Sequence, residues 1–259
     1  QANEIDELTT GTVNGFIDDA ETVDSLKTLT GTNAYTITIS AADATGSTAA
    51  ELNTIDTATT VAVDATSITA LSGLAENLNT LYSSSGVTGL GNESLTISDT
   101  DTAKASDIAS VISANSGGTL NGNSMTKLTG SFADIKTVFT SSSMTIGTSV
   151  ALDLSEEVSS TSRTTGTLTK IADIATLETY TNAVIEAEIE ETEIVKLKNI
   201  SNVYKNNIYK ITCSDTSPNI SDLKIISAIN PSGTIDITDA STLNCTNVSD
   251  ALFVYNQLT

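Results

Sequence analysis

The sequence predicts a mainly β fold with short helices, a parallel β-solenoid built from strand–turn–helix repeats of about 25–35 residues. Three observations lead to this prediction. Short alternations of apolar and polar residues recur along the chain, and each is followed by a segment with apolar residues at helical spacing. Thr and Ser together make up 77 of the 259 residues, whereas aromatic residues make up 4%. This composition departs far from ordinary globular usage and favours a repetitive β architecture with a thin aliphatic core.

Two stretches of the chain align as copies of one unit. Residues 60–82 and 118–139 each contain a short alternating strand, a turn, a second apolar pair and a helical segment that leads into a Ser/Thr cluster. Weaker copies begin near residues 36, 95, 208 and 233. One such unit cannot bury its own apolar face, so the units are expected to stack. The competing interpretation is a β-sandwich with short helices between its strands.

Alternation and capping residues indicate the elements within the units. Val61 and Val63 alternate with polar residues, as in a strand that buries one face. Ala49–Ile55 and Ala75–Tyr82 have apolar residues at helical spacing and Glu in the first turn. We therefore expect each unit to contain a short strand followed by a short helix.

A change in composition towards the C-terminus predicts domain boundaries. Residues 171–185 are expected to form a longer helix, and the glutamate-rich run 186–193 a solvated face near the lysines that follow. We expect an N-terminal end or assembly segment at 1–34, a β-solenoid repeat domain at 35–189, and a divergent C-terminal repeat module or cap at 190–259.

Composition argues against several classes of function. The chain has no His, so it has no Ser-His-Asp or Cys-His relay and no His-ligated metal site. A formal net charge of -21 argues against binding nucleic acid or an anionic membrane. No apolar run reaches the roughly 18 residues that would span a bilayer. Arg163 is the only Arg, and no acidic pair departs from the repeat pattern, so we expect the protein not to be an enzyme.

Two segments of the repeats resemble a known type of protein. Thr48–Asp56 and Leu74–Tyr82, with the glycine-rich Ser85–Glu93 that follows, resemble tandem repeats of large secreted bacterial surface proteins of the adhesin-like type, and more weakly repeats of phage tail fibres. The resemblance covers residues 35–145 and implies a repetitive extracellular scaffold. The Gly-Gly-x-Gly-x-Asp nonapeptide of calcium-binding β-rolls is absent, because no Asp follows Gly117–Gly118 at the required place.

Aspartates at strand ends are the candidate calcium ligands. Asp99 and Asp101 form the best oxygen pair, on a loop after a predicted strand. Asp64, Asp236 and Asp239 occupy comparable turns. Calcium needs six to eight oxygens at once, and Asp at these positions is also favoured because its side chain closes Asx turns. Calcium ligands and turn residues therefore remain two open interpretations.

Cysteines and asparagines supply the remaining candidate sites. Cys213 and Cys245 lie 32 residues apart, so neighbouring repeats can bring them together as a disulfide; the alternative is two separate thiols. N-glycosylation sequons make five asparagines candidates for modification in a host that glycosylates. They are Asn92, Asn199, Asn219, Asn244 and Asn247.

The function we expect is structural. A stack of parallel strands has open edges at its ends, and an end docked on another copy gives a contact that propagates as a fibre. We expect an extracellular or cell-surface protein that assembles with copies of itself into a surface layer, sheath or filament. Residues 1–32 and 232–259 are the expected contact segments. Neither a nucleic acid partner nor a membrane span is expected.

A recognition function is the alternative expectation. An adhesin or tail-fibre-like module would bind glycan or a cell surface through an exposed patch, for which Tyr204, Asn206, Asn207 and Tyr209 are the candidates. A third interpretation is ice binding, because Thr36–Thr38 resembles one rung of a Thr-x-Thr ladder.

Overall fold

A computed structural model describes residues 1–154, 168–203 and 206–246, together with residue 249. Its helices are α1 (Ala2–Asp6), α2 (Val23–Leu26), α3 (Ala49–Thr57), α4 (Ala75–Ser83), α5 (Ala105–Ala114), α6 (Phe132–Thr140), α7 (Ile171–Leu177), α8 (Ile194–Leu197) and α9 (Ile220–Ile229), and Ala41–Asp43 forms a 3-10 turn. Its strands are β1 (Asn14–Phe16), β2 (Ala34–Thr36), β3 (Val63–Asp64), β4 (Ala70–Gly73), β5 (Val87–Thr88), β6 (Ser94–Ile97), β7 (Thr102–Lys104), β8 (Thr119–Asn121), β9 (Lys127–Thr129), β10 (Met144–Thr145), β11 (Ala151–Asp153), β12 (Ile185–Glu188), β13 (Ile208–Thr212) and β14 (Thr234–Asp236).

The predicted fold class, a mainly β parallel β-solenoid, is wrong. The fold is mixed α/β, with parallel sheets and with 31% of the described residues in helices against 22% in strands. The physical reason is that the strands are short, whereas the helices between them bury one complete stripe. In α4, for example, Ala75, Leu78 and Leu81 are all buried at a spacing of three residues.

Local signals explain where the helices begin. At α3, the Thr48 side chain accepts the Glu51 N–H, and the Glu51 carboxylate accepts the Thr48 N–H, which makes a complete capping box. Ala49, Leu52 and Ile55 then form the buried stripe. The predicted helices at 49–55 and 75–82 are thus confirmed, each extended by one or two residues.

The described chain divides into two compact units, Gln1–Met125 with Thr137–Ile146, and Thr126–Lys136 with Gly147–Thr259. In the first unit, β4, β6, β8 and β10 form a parallel sheet, and the pairs β1–β2 and β3–β5 are also parallel. Leu71 lies opposite Leu95, which lies opposite Leu120, and all three are buried. The column of leucines sets the register, because a slip by one residue would expose them.

In the second unit, β9, β11, β12, β13 and β14 lie side by side in that order, and all are parallel. Leu128, Leu152 and Ile185 form a buried column on one face. The opposite face is polar. It carries Glu188, which is only 3% exposed and whose carboxylate lies 3.1 Å from the Lys210 ammonium.

Two predictions for the second unit are wrong. The expected helix at 171–185 ends as α7 at Leu177, and the chain continues into β12. The cause is a set of hydrogen bonds to an earlier segment, in which the Thr181 hydroxyl donates to the Val150 carbonyl at 2.6 Å. The glutamate run at 186–193 is not simply a solvated face either, since Glu188 is buried in the sheet.

Candidate functional site

Asp99 is a helix cap of the neighbouring repeat. Its Oδ2 accepts the N–H of Ala75, the first residue of α4, at 2.8 Å. The residue before α4, Leu74, has no side chain that can cap the helix. A carboxylate at this place satisfies one of the free N–H groups and interacts favourably with the helix dipole. As in the turn interpretation, Asp99 accepts a backbone N–H group, but this N–H belongs to a residue 24 positions earlier and not to the turn of Asp99 itself.

The same arrangement recurs along the described chain. A carboxylate located 20 to 24 residues later accepts the first N–H of a helix. The pairs are Asp43 with Val23 at 3.0 Å, Asp99 with Ala75 at 2.8 Å, Glu191 with Ile171 at 3.0 Å and Asp215 with Ile194 at 2.7 Å. Helix capping by a carboxylate from a later segment of the chain therefore recurs in this fold.

The other predicted calcium ligands occupy turns. Asp64 Oδ1 accepts the Thr66 N–H at 3.0 Å, and Asp236 Oδ1 accepts the Thr238 N–H at 2.9 Å, so both close Asx turns. Asp101 and Asp239 are exposed loop residues. Within the described ranges, no group of three or more Asp, Glu or Cys side chains is arranged to hold a metal ion. Calcium binding by these residues stays a prediction.

Asn115 forms a second kind of contact between repeats, which the sequence analysis missed. This fully buried residue ends α5; its Oδ1 accepts the Glu93 N–H at 3.0 Å and its Nδ2 donates to the Glu93 carbonyl at 2.9 Å. Asn230, at the end of α9, holds Tyr209 in the same way, at 2.9 Å and 2.8 Å. A buried amide side chain thus pairs with both backbone groups of the residue just before the next strand begins to pair, at Ser94 opposite Thr119 and at Lys210 opposite Thr234.

Further asparagines make half of this contact. Asn207 Oδ1 accepts the Ile185 N–H at 2.9 Å, and Asn33 Oδ1 accepts the Val13 N–H at 2.9 Å. We call the four residues Asn33, Asn115, Asn207 and Asn230 the asparagine ladder. Each member is buried and bonds a residue 20 to 22 positions earlier.

Glycine spacing is the sequence signal that would have identified the complete contacts. Asn115 and Asn230 are each followed three residues later by a glycine, Gly118 or Gly233, and then by a strand. A Cβ at Gly118 would collide with the Glu93 carbonyl and with the Asn115 side chain. A Cβ at Gly233 would collide with the equivalent groups of Tyr209 and Asn230. The pattern Asn-x-x-Gly before a strand therefore has a steric cause.

Glu93 is a buried carboxylate held by neutral donors. It is 0% exposed, and it accepts the N–H groups of Gly91 and Asn92 and the Tyr82 hydroxyl, which lies 2.5 Å away. Burial, together with the hydrogen bond to Glu93, raises the pKa of Tyr82 well above its usual value. Because Tyr82, Gly91 and Asn92 all donate to this carboxylate, it closes the loop between α4 and β6.

Glu178 occupies a similar cluster in the second unit. Its carboxylate accepts the Val203 N–H at 2.8 Å, the Asn207 amide at 3.0 Å and the Ser201 hydroxyl. The Tyr209 hydroxyl donates to the Ser201 carbonyl at 3.1 Å. Burial and the negative charge of Glu178 raise the pKa of Tyr209.

The prediction that residues 204–209 form an exposed recognition patch is wrong for Asn207 and Tyr209. Asn207 and Tyr209 are both 0% exposed. Asn207 belongs to the asparagine ladder, and the Tyr209 hydroxyl is hydrogen-bonded to Asn207 and to Ser201, which both bond Glu178. Tyr204 lies outside the described residues. The structure therefore does not offer these aromatic and amide groups together to a glycan.

The remaining predicted sites lie apart from one another. Cys213 is a buried and Cys245 an exposed free thiol, so the structure does not contain the disulfide that their spacing indicated. Burial raises the pKa of the Cys213 thiol. The sequon residues Asn92, Asn199, Asn219 and Asn244 are exposed, and Asn247 lies outside the described residues. Glycosylation stays a prediction.

The N-terminal strand has an open edge beside a groove lined by both polar and apolar residues. Among the described residues, β1 has β2 as its single neighbour, and all three of its residues are exposed. Phe16 is 69% exposed, and Ile5 and Leu8 nearby in sequence are also exposed. The groove has a volume of about 430 Å³. Its apolar lining includes Ile5, Val13, Phe16, Leu26, Leu29 and Tyr35.

Comparison with known proteins identifies no relative. Neither the models of protein families, nor the curated proteins, nor the solved structures contain a significant match to this chain. A separate inspection of the described helices finds none with the length and apolar character needed to cross a membrane.

Proposed function

We propose that this protein is a non-enzymatic structural protein of the cell exterior, which assembles with copies of itself into a layer, sheath or filament. The observation that carries the proposal is the open edge of β1. An exposed strand edge presents unpaired N–H and C=O groups that pair readily with another chain. Here that edge adjoins exposed apolar side chains, including Phe16 and Ile5.

The direction of the backbone groups identifies the free donors and acceptors. The N–H of Ile17, the residue that follows β1, donates to the carbonyl of Thr36 in β2 at 3.0 Å. Successive residues of a strand direct their backbone groups to opposite sides. The N–H and C=O groups of Asn14 and Phe16 therefore point away from β2, towards the open side.

The polar side chains support a structural role. The best sequence candidate for chemistry, Asp99, caps a helix of the neighbouring repeat, and the buried Glu93 is bonded to its own loop. The resemblance of residues 48–93 to repeats of secreted bacterial surface proteins points the same way. A charge of -21 is consistent with a protein that must stay soluble before it assembles.

Replacement of Asn14 tests the proposal. Asn14→Pro removes an N–H group on the open side of β1, while the bonds to β2 come from the neighbouring residues; Pro is tolerated on edge strands for this reason. Asn14→Thr is the matched control, since it keeps the N–H group and favours a strand. We expect negative-stain microscopy and sedimentation velocity to show ordered assemblies for the wild type and for Asn14→Thr, and loss of assembly for Asn14→Pro.

Two results would contradict the proposal. The first is a wild-type chain that stays monodisperse at all concentrations, with and without calcium. The second is equal assembly by Asn14→Pro and Asn14→Thr, because assembly would then not depend on this edge. Circular dichroism of both variants verifies that neither change unfolds the chain.

A further inference from the structure

We infer that β14 of a second copy adds to the open edge of β1 as a parallel strand, with Ile235 of one copy opposite Gly15 of the other. This inference rests on the proposed function and names the partner surface and the register. It follows from the backbone directions, the alternation of the side chains along both strands and the groove beside β1.

The backbone of β14 has the groups that β1 requires. The Cys213 N–H donates to the Asp236 carbonyl at 2.8 Å, so Asp236 faces β13. Its neighbour Ile235 therefore directs its N–H and C=O away from β13, and β14 has no further neighbour among the described residues. Between copies, the Ile235 N–H would donate to the Asn14 carbonyl, and the Phe16 N–H would donate to the Ile235 carbonyl.

This register preserves the separation of apolar and polar faces. Gly15 lies opposite Tyr35, which is buried, and Ile235 lies opposite Ile211, which is also buried. Placing Ile235 opposite Gly15 therefore puts the buried faces of both copies on the same side. A register shifted by one residue would place Ile235 opposite Asn14 or Phe16, on the face away from the buried Tyr35 and Ile211, which disfavours it.

The groove beside β1 has room for the arriving side chain. Gly15 lines it and has no side chain of its own, and Leu26 and Tyr35 contribute apolar surface. Ile235 is half-buried in the isolated chain and borders a groove of about 480 Å³ beside β14. Docking would bury apolar surface from both grooves at once.

Charge does not oppose a second copy as the partner. Residues 1–26 contain seven carboxylates and no Lys or Arg, whereas residues 195–239, which include β14, contain five lysines and four aspartates. The first segment is therefore strongly negative and the second is close to neutral. The pairing thus avoids the like-charge repulsion that discriminates against wrong partners.

Cysteine trapping tests the register. The inferred pairing places Asn14 opposite Thr234 of the next copy, both exposed. Neighbouring strands are about 4.8 Å apart, which is within the Cα separation that a disulfide accepts. The test chain carries Asn14→Cys and Thr234→Cys in a Cys245→Ser background, which removes the exposed native thiol. The matched control carries Asn14→Cys and Thr238→Cys, a pair displaced by four residues.

We expect mild oxidation to shift the first chain from monomer to a ladder of covalent multimers on a non-reducing gel, and the control to stay monomeric. Mixing chains that each carry one of the two cysteines should give hetero-dimers. Equal cross-linking by both pairs overturns the inferred register. Wild-type assemblies without in-register cross-links overturn this docking but leave self-assembly standing. Absence of both assemblies and cross-links overturns the docking and the proposed function together.

Discussion

Asn115 pairs with both backbone groups of Glu93, a residue 22 positions earlier, through its Oδ1 at 3.0 Å and its Nδ2 at 2.9 Å. Both residues are 0% exposed. A side-chain amide can imitate the backbone of a strand in this way, because it carries one acceptor and two donors in a plane. The contact ties the end of α5 to the repeat before it, and Asn230 repeats it on Tyr209.

Replacement of Asn115 should destabilise the fold strongly. Asn115→Leu keeps a similar volume but leaves the Glu93 N–H buried without its partner, while the Glu93 carbonyl keeps only the Thr119 N–H, at 3.1 Å. We expect a loss of about 1–3 kcal/mol in the free energy of unfolding, measured by urea denaturation. The control is Asn92→Leu, at an exposed neighbouring position. If both variants unfold at the same urea concentration, the asparagine ladder is not a main source of stability.

Glycine replacement probes the same contact from its other side. A Cβ at Gly118 would meet the Glu93 carbonyl and the Asn115 amide, whereas a Cβ at Gly147 would meet nothing within 4 Å. We expect Gly118→Ala to lower the melting temperature by several degrees, and Gly147→Ala to leave it unchanged or raise it slightly. Differential scanning calorimetry of the two variants measures this difference, and equal melting temperatures would refute the steric argument.

Asp99 distinguishes helix capping from calcium binding. Because its carboxylate caps α4, Asp99→Ala should cost about 1 kcal/mol of stability in buffer that contains a chelator. Asp19→Ala removes the same charge at an exposed position and should cost little. A stability difference that appears only when calcium is added would instead assign Asp99 a ligand role.

The raised pKa of Tyr82 predicts how the stability of the fold depends on pH in alkaline solution. Its pKa is raised in the folded chain by burial and by the hydrogen bond to Glu93. The stabilisation is therefore complete below the usual tyrosine pKa of about 10, and it is lost as the pH rises above that value. We expect wild-type stability to fall steeply above about pH 10.

Tyr82→Phe supplies the comparison for this pH dependence. The variant loses the bond to Glu93, so it should be less stable at pH 7, but its stability should decline less between pH 10 and pH 11. Tyr180→Phe, at a partly exposed site, should follow the wild type. Equal slopes for all three chains in urea denaturation would show that the Tyr82–Glu93 pair does not control alkaline unfolding.

Local signals in the sequence predict some elements of this fold well. The capping box of Thr48 and Glu51 marks the start of α3, because all of its bonds lie within four residues. The helical stripe of α4 is equally local. The fold class could not be obtained in this way, since the balance between helix and strand depends on how far each strand pairs with its neighbours.

Contacts between repeats are the part that sequence reasoning missed. Asp99 carries a carboxylate of the kind that binds calcium, yet the partner of this carboxylate is the N–H group of Ala75, 24 residues earlier. Asn115 stands out only when it is considered together with Gly118 and the strand that follows. The expected helix at 171–185 fails for the same reason, because Thr181 bonds to Val150 from an earlier segment. Such pairings become visible only when the repeats are placed side by side.

Amide hydrogen exchange at β1 tests the central proposal, assembly through its open edge, most directly. The Phe16 N–H points to the open side, whereas the Ile17 N–H is bonded to the Thr36 carbonyl. Exchange is measured for dispersed and for assembled protein, with sedimentation verifying each state. We predict that Phe16 exchanges rapidly in the dispersed chain and becomes protected on assembly, while Ile17 is protected in both. Rapid exchange of Phe16 within the assemblies would contradict the proposal.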